Sequence, residues 1–452
     1  MARRRRAIHS MNSVCKCDDR SPLASPKAGR PRNDDDVIGM TATDGGERRV
    51  LVVENRAHES FGHFPVRCVE LAEAFAAIGR RVDVLTSRGW AREGATYSGP
   101  LAIHCYGPVA RRLDHLAETL TTRKRERLGF YARRLGYALR VVAMIGAAKA
   151  WCRRADGSPP LIVVMSDATN PALAAAIAGT GSWLLYQFWP PEAEQSWVLR
   201  AVESVLVGTA RRAERRRRGR GGAMRLALPG EAWAEAWAMR VPFLQPAVIP
   251  LAGCRRREPI PDARARLGLK SDERLALVFG TLHGEKDYDV VWRAFADLHG
   301  WRLLIVGEVA DAYRQSQRQR CDGHEPILLG GYVDATTRDL VFCAADVVIL
   351  SFQPNHWRDS GVLMDAIAWG VPVVCSGHST AADIVRTFRL GVVFEPGNAD
   401  SLAQAVRSAP TRITPHDLER ARSARSDHAV VLRCLEALGE PERGDAAPVA
   451  EP

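Results

Sequence analysis

Residues 274–307 read RLALVFGTLHGEKDYDVVWRAFADLHGWRLLIVG. The apolar run RLALVFGT (Arg274–Thr281) ends at a glycine turn and predicts a buried strand. Tyr288–Leu298 is predicted helical, and WRLLIVG (Trp301–Gly307) is a second strand. Strand, glycine turn, helix, strand is the βαβ unit of a parallel sheet.

The same alternation continues on both sides. Upstream lies a short helix in RARLGL. Downstream come a strand in ILLGGYV, a helix over Thr337–Ala345 and a strand in DVVILSF (Asp346–Phe352). Ser360–Trp369 is a helix stopped by Gly370. VPVVCS, a helix over Thr380–Phe388 and the strand GVVFE complete the set. An earlier βαβ opens at Arg49. RVLVVEN is a strand, Val66, Val69, Leu71, Ala72 and Phe75 line an amphipathic helix, Gly79 ends it, and RVDVLTS is the next strand. LAIHCYG, LIVVMS and SWLLYQF are further strands, Arg123–Trp151 is a long basic helix, and VESVLVGT fits helix or strand. Pro242, Pro246 and Pro250 close this first half.

The expectation is therefore α/β, with two Rossmann-like parallel-sheet domains facing a central cleft. Residues 1–47 form a basic and polar tail too poor in apolar residues to order. Residues 48–252 are the first domain and 253–412 the second. Residues 413–440 are C-terminal helices placed to pack back on the first domain, and 441–452 a second tail.

Composition excludes several classes. A chain of 452 residues with 46% hydrophobic and 25% charged residues has enough core for two domains without staples. Ten cysteines, with no C-x-x-C pair, fit free thiols in a reducing cytoplasm and no zinc site. No uninterrupted apolar run of about 18 residues predicts a membrane span; Pro171–Phe188 comes nearest and reads helix, turn, strand. The basic N-terminus lacks the apolar stretch of a secretory signal. The net charge of +11 gathers at Arg3–Arg6 and at Arg211–Arg220, RRAERRRRGR. Two readings stand for the second run: a solvated, mobile segment, or attraction to an anionic membrane. Trp233 and Trp237, four apart on a helix in EAWAEAWAMR, either dock beside it on the bilayer or pack in the core. No nucleic-acid motif or interleaved aromatics accompany the arginines, so no nucleic-acid partner is expected.

In open parallel sheets, ligands sit at the carboxyl ends of strands, beside helix N-termini. Two turns of the second domain qualify. Gly280 and Gly284 allow close backbone approach, and Lys286 supplies a cation at a helix entrance, which together suit a diphosphate. A plain β–α loop with a surface lysine has the same pattern. The second turn is Asp359-Ser-Gly-Val-Leu-Met-Asp365. Ser360 caps a helix there and leaves the amides of Gly361 and Val362 for an anion. Asp365 sits one turn in, among Leu363, Met364, Ala366 and Ile367. Such a carboxylate needs a partner, and ribose hydroxyls or an internal salt bridge would each serve.

Four stretches, in order and spacing over about 130 residues, resemble GT-B glycosyltransferases of the GT4 (group 1) type: VFGTLHGEKDYDVVWRAF, LLIVGE, GYVDATTRDLVFCAADVVILSF and SGVLMDAIAWGVPVVCS. LAEAFAAIGRRVDVLTS resembles the family's first helix and second strand. The resemblance implies donor binding by Gly280, Thr281, Lys286, Gly307, Gly331, Val333, Ser360, Gly361, Val362 and Asp365. Lys286 would contact the diphosphate, the 360–362 amides the phosphates, Asp365 the ribose, and the Gly331–Val333 loop the base. It implies no metal and no cofactor beyond a nucleoside-diphosphate sugar as donor substrate, with retention of anomeric configuration.

Departures from the family's pattern bear on catalysis. Thr281 stands where the family has an arginine, Trp357 where it has the first glutamate of its E-x7-E pair, and Asp365 is one methylene shorter than the second. The region that offers a catalytic histidine in the family reads MSDATNP. Asp167, better suited to capping a helix, and His63, beside His58 in the first β–α loop, are the remaining catalytic candidates, and His356 or Arg358 the candidate replacements for the lost cation. Sugar transfer to a glycan or lipid-linked acceptor, in the cytoplasm or on the inner face of the cell membrane, is the expected function. A GT-B scaffold that keeps nucleotide binding but has lost turnover is the alternative, and a sugar-nucleotide epimerase is compatible with the fold alone.

Overall fold

The computed structural model describes residues 48–440, apart from 55–63, 88–100, 122–127, 156–158, 166–169, 188–196, 252, 271, 281–285, 297, 308–325, 332 and 354–359. The first half builds a seven-stranded sheet from β1 (Val50–Glu54), β2 (Val82–Thr86), β3 (Ala102–Cys105), β4 (Leu161–Met165), β5 (Ser182–Tyr186), β6 (Met224–Leu228) and β7 (Ala247–Val248). Its order is β3-β2-β1-β4-β5-β6-β7, and every pairing is parallel. The helices are α1 (Phe64–Ala77), α2 (Pro108–Thr121), α3 (Leu128–Cys152), α4 (Pro171–Ile177), α5 (Trp197–Arg218) and α6 (Glu231–Arg240).

The second half holds α7 (Ala263–Arg266), β8 (Arg274–Phe279), α8 (Tyr288–Ala296), β9 (Trp301–Gly307), β10 (Ile327–Gly330), α9 (Ala335–Ala344) and β11 (Val347–Leu350). It continues with α10 (Gly361–Trp369), β12 (Val373–Ser376), α11 (Thr380–Phe388), β13 (Gly391–Phe394) and α12 (Ala399–Ser408). Its six strands run β10-β9-β8-β11-β12-β13, again all parallel. Both sheets are covered on both faces, so β1, β4 and β5 are buried along their whole length. Continuous apolar runs, rather than alternation, are what that burial requires. Each sheet reverses its strand order once, between β1 and β4 and between β8 and β11, and ligands of open α/β sheets bind at such switch points.

The last helices, α13 (Pro415–Ala424) and α14 (Asp427–Ala437), bring the chain back. Val430, Val431, Cys434 and Leu435 of α14 share a core with Leu71 and Phe75 of α1 and with Ile249. The Tyr186 hydroxyl lies 3.4 Å from Cys434 Sγ, and Arg48 Nε donates to Glu440 at 2.8 Å.

Several sequence expectations change. VESVLVGT is helical, inside α5, and α2 is an element the sequence pattern did not suggest. The basic run is not a mobile segment through Arg218, because α5 carries it. Glu214 and Arg217 pair within that helix, both buried. Arg217 also donates to the carbonyls of Ala175 at 2.9 Å and Gly179 at 3.0 Å, closing the C-terminal end of α4. Arg211, Arg212, Arg215 and Arg216 remain exposed. Trp233 and Trp237 are in the core of the first domain, so docking of these rings on a bilayer is excluded. One described helical stretch, Tyr131–Cys152, has the length and composition to cross a membrane. Counting uninterrupted apolar residues missed it because Arg133, Arg134, Arg140 and Lys149 interrupt the run. Its Val141, Met144, Ile145 and Ala148 pack in the same core as the tryptophans.

Candidate functional site

The two loops that follow β8 and β11 meet at the switch point of the second sheet. Lys286 makes an antiparallel bridge with Phe352. Asp287 N donates to the Ser351 carbonyl at 3.1 Å, and Ser351 Oγ returns a 2.7 Å bond to the Asp287 carbonyl. Asp287 Oδ1 then accepts from Val290 N at 3.1 Å, which caps α8. The lysine is thus held on a closed backbone circuit.

Its ammonium folds back over the strand end. Lys286 Nζ donates to the Phe279 carbonyl at 2.8 Å. Gly280 has φ +110°, and a Cβ there would lie 2.7 Å from Nζ and 4.0 Å from Val362 of α10. At Gly307, φ +139°, a Cβ would lie 1.8 Å from the Gly280 carbonyl. Glycine is required at both positions, by conformation and by space. Gly330 pairs with Gly307 in register, so the floor at the ends of β8, β9 and β10 is bare backbone. Gly331, with φ +80°, continues that rim, and Val333 packs on the domain core.

The helix α10 closes the other side. Ser360 Oγ accepts from Leu363 N at 3.3 Å, and the Ser360 carbonyl from Leu363 N and Met364 N. The amides of Gly361 and Val362 occupy the first turn, where no intrahelical acceptor exists. A bare floor, a helix N-terminus and an ammonium make an anion site. An ammonium carries three donors, and one is used by Phe279. Burial lowers the Lys286 pKa to about 8, so this cation is under-solvated and suited to an anionic ligand.

Asp365, one turn into α10, is buried. Of its two anticipated partners, the internal salt bridge is present. Oδ1 lies 3.8 Å from Arg67 Nη2, and Oδ2 is buried with no hydrogen-bond partner among the described residues. Arg67 is on α1, at the edge of the first sheet's switch point. Burial pulls its pKa down, yet the Glu70 and Asp365 carboxylates outweigh burial and hold it above the usual value. The sequence offered one signal for Arg67, a charge inside an amphipathic helix with Glu70 three residues on, and the sequence reading passed over it.

Thr281, Gly284, Trp357, His356, Arg358 and Asp359 lie outside the described residues, as do His58, His63 and Asp167. The structure brings together Gly280, Lys286, Gly307 and Val362, with Ser360, Gly361 and Asp365 on the same helix as Val362 and Gly331 on the adjoining rim. Among the described residues, no group of three His, Cys, Asp or Glu side chains is arranged to hold a metal ion.

Two parallel-sheet domains of this topology define the GT-B fold. Residues 259–419 match the family Glycosyl transferases group 1. An uncharacterized glycosyltransferase of Methanocaldococcus jannaschii is 28% identical over 149 residues, 32% of this chain and 37% of that protein. The match spans little more than a third of that relative's length. Sucrose-phosphate synthase from Thermosynechococcus elongatus superposes with TM-score 0.61 at 19% identity, over 86% of this chain and 98% of that one. HepE of Anabaena, in complex with UDP and glucose, superposes with TM-score 0.59 at 15% identity, over 87% and 100%. These likenesses establish the fold across both domains.

Proposed function

We propose that this chain is a glycosyltransferase that moves a sugar from a nucleoside-diphosphate donor to an acceptor. The observation that carries the proposal is the Lys286 ammonium, seated on Gly280 beside the first turn of α10. The diphosphate lies across the Gly280–Gly307 floor. It takes the two remaining Lys286 N–H groups and the amides of Gly361 and Val362, and the negative charge that grows on the leaving phosphate is stabilised there. The Asp365 Oδ2 accepts from the ribose, and the Gly331–Val333 rim borders the base. A protein of similar fold, HepE of Anabaena, was solved with UDP and glucose, which supports a nucleotide-sugar donor. We read transfer as retaining and metal-independent, the leaving phosphate itself helping to deprotonate the acceptor.

The acceptor reading is a lipid-linked or surface glycan, met at the cytoplasmic face of a membrane. Its support is the outer face of α5, where Arg211, Arg212, Arg215 and Arg216 are exposed on the same helix as exposed Val202 and Val205. Exposed cations and apolar side chains on one helix suit an anionic bilayer.

Nucleoside-diphosphate release from a panel of UDP-, GDP- and ADP-sugars, with and without a lipid extract, tests the activity. Release that needs the extract and is lost in Lys286→Ala supports transfer. Nucleotide binding without release from any sugar would instead favour a scaffold that has lost turnover.

A further inference from the structure

The carboxylate that the second domain offers to the donor is held by a side chain from the first. Arg67 reaches from α1 with its side chain 5% exposed. Nη1 donates to Glu70 Oε2 at 2.7 Å and to the Gly253 carbonyl at 3.3 Å. Nη2 faces Asp365 Oδ1 across 3.8 Å. Nε of Arg67 and Oδ2 of Asp365 are both buried without a hydrogen-bond partner among the described residues. The interdomain linker is shaped around this guanidinium: a Cβ on Gly253, where φ is +111°, would lie 1.5 Å from Nη1.

A buried carboxylate with one oxygen facing a fixed cation and the other unsatisfied has a defined orientation and a spare acceptor. Two unsatisfied buried polar groups on adjoining side chains are expensive to keep, and a vicinal diol is a ligand that satisfies the carboxylate by donating to Oδ2. We propose that Arg67 is a positioning residue for the donor: it holds Asp365 Oδ1 so that Oδ2 is presented to the ribose hydroxyls, and it completes from the first domain a subsite built on the second. The proposal rests on the reading of Asp365 as the ribose acceptor. Glu70 and Gly253 are its supports, Glu70 by fixing Nη1 and Gly253 by leaving room for it. Lysine at position 67 would keep the charge but lose the planar fork that spans Glu70, the linker and Asp365 at once.

The test is calorimetric titration of the full chain with whichever of UDP, GDP and ADP binds, beside its 2′-deoxy and 3′-deoxy counterparts. The quantity read is the ratio of ribo to deoxy affinity, which does not depend on the fraction of protein that is folded. A hydrogen bond to a charged group predicts that the wild-type chain prefers the ribonucleotide by about ten- to hundredfold. Asp365→Asn and Arg67→Met should both bring that ratio close to one, Arg67→Lys should recover part of it, and Gly253→Ala should reduce it with both charged residues still present. If Arg67→Met keeps the preference that Asp365→Asn loses, the role of Arg67 is overturned while the ribose reading stands. If the wild-type chain shows no preference, the ribose reading fails and the role of Arg67 with it. Binding of none of the three nucleotides would overturn the donor site as a whole.

Discussion

Raising the pH should weaken donor binding well before ordinary lysines titrate. Lys286 has a pKa lowered to about 8 from 10.5 because its ammonium is buried. A diphosphate binds the protonated form and raises that pKa in the complex. Between the free and bound values, one proton must be taken up per ligand bound, so affinity falls about tenfold per pH unit. With a free pKa of about 8, the apparent dissociation constant rises by a factor of about 1.1 at pH 7 and about 11 at pH 9, a net loss of about tenfold. A lysine at its ordinary value would give a change under about 5% over the same range. The assay is a series of calorimetric titrations from pH 7 to 9.5 on the wild-type chain and Lys286→Arg. Arginine stays charged throughout, so its profile should be flat apart from any titration of the nucleotide base. A flat wild-type profile, or the same slope in both proteins, would refute the reasoning.

Three further outcomes follow from the geometry. Arg217→Met removes one member of a buried pair and three hydrogen bonds to the end of α4, while Glu214 keeps Arg218 and the Met224 amide as partners. It should destabilise the chain by about 1.5–3 kcal/mol in urea unfolding. Gly307→Ala places a methyl 1.8 Å from the Gly280 carbonyl; it should separate β8 from β9 at their ends and abolish nucleotide binding, read by titration alongside circular dichroism. Replacing exposed Arg211, Arg212, Arg215 and Arg216 by glutamine should abolish sedimentation with anionic vesicles and leave the unfolding midpoint unchanged, whereas unaltered sedimentation would remove the membrane role of α5.

Much of the second domain was legible because its strands are buried on both faces. Such strands appear as short apolar runs, and DVVILSF and VPVVCS are found that way without knowing their neighbours. Gly280 and Lys286 were legible as a motif, but the reason for glycine at 307 was not, since it depends on the Gly280 carbonyl 27 residues earlier. The basic run misled for a related reason. Its Glu214–Arg217 spacing is that of two side chains on one helix face, yet burial of that face is decided by α4, far back in the chain. Arg67 is the extreme case: its partners are Glu70, Gly253 and Asp365, and a fold must exist before they share a site. Trp233 and Trp237 fit a bilayer or a core equally well by spacing, and only the packing of α6 on the first sheet decides for the core.

On the proposed reading, the floor at the ends of β8, β9 and β10 is a nucleoside-diphosphate site governed by Lys286. Titration of the purified chain with UDP, GDP and ADP, beside Lys286→Ala, tests it most directly. Micromolar binding of at least one nucleotide, lost in the variant, is the predicted result. Failure of all three to bind, or binding that survives the substitution, would contradict it.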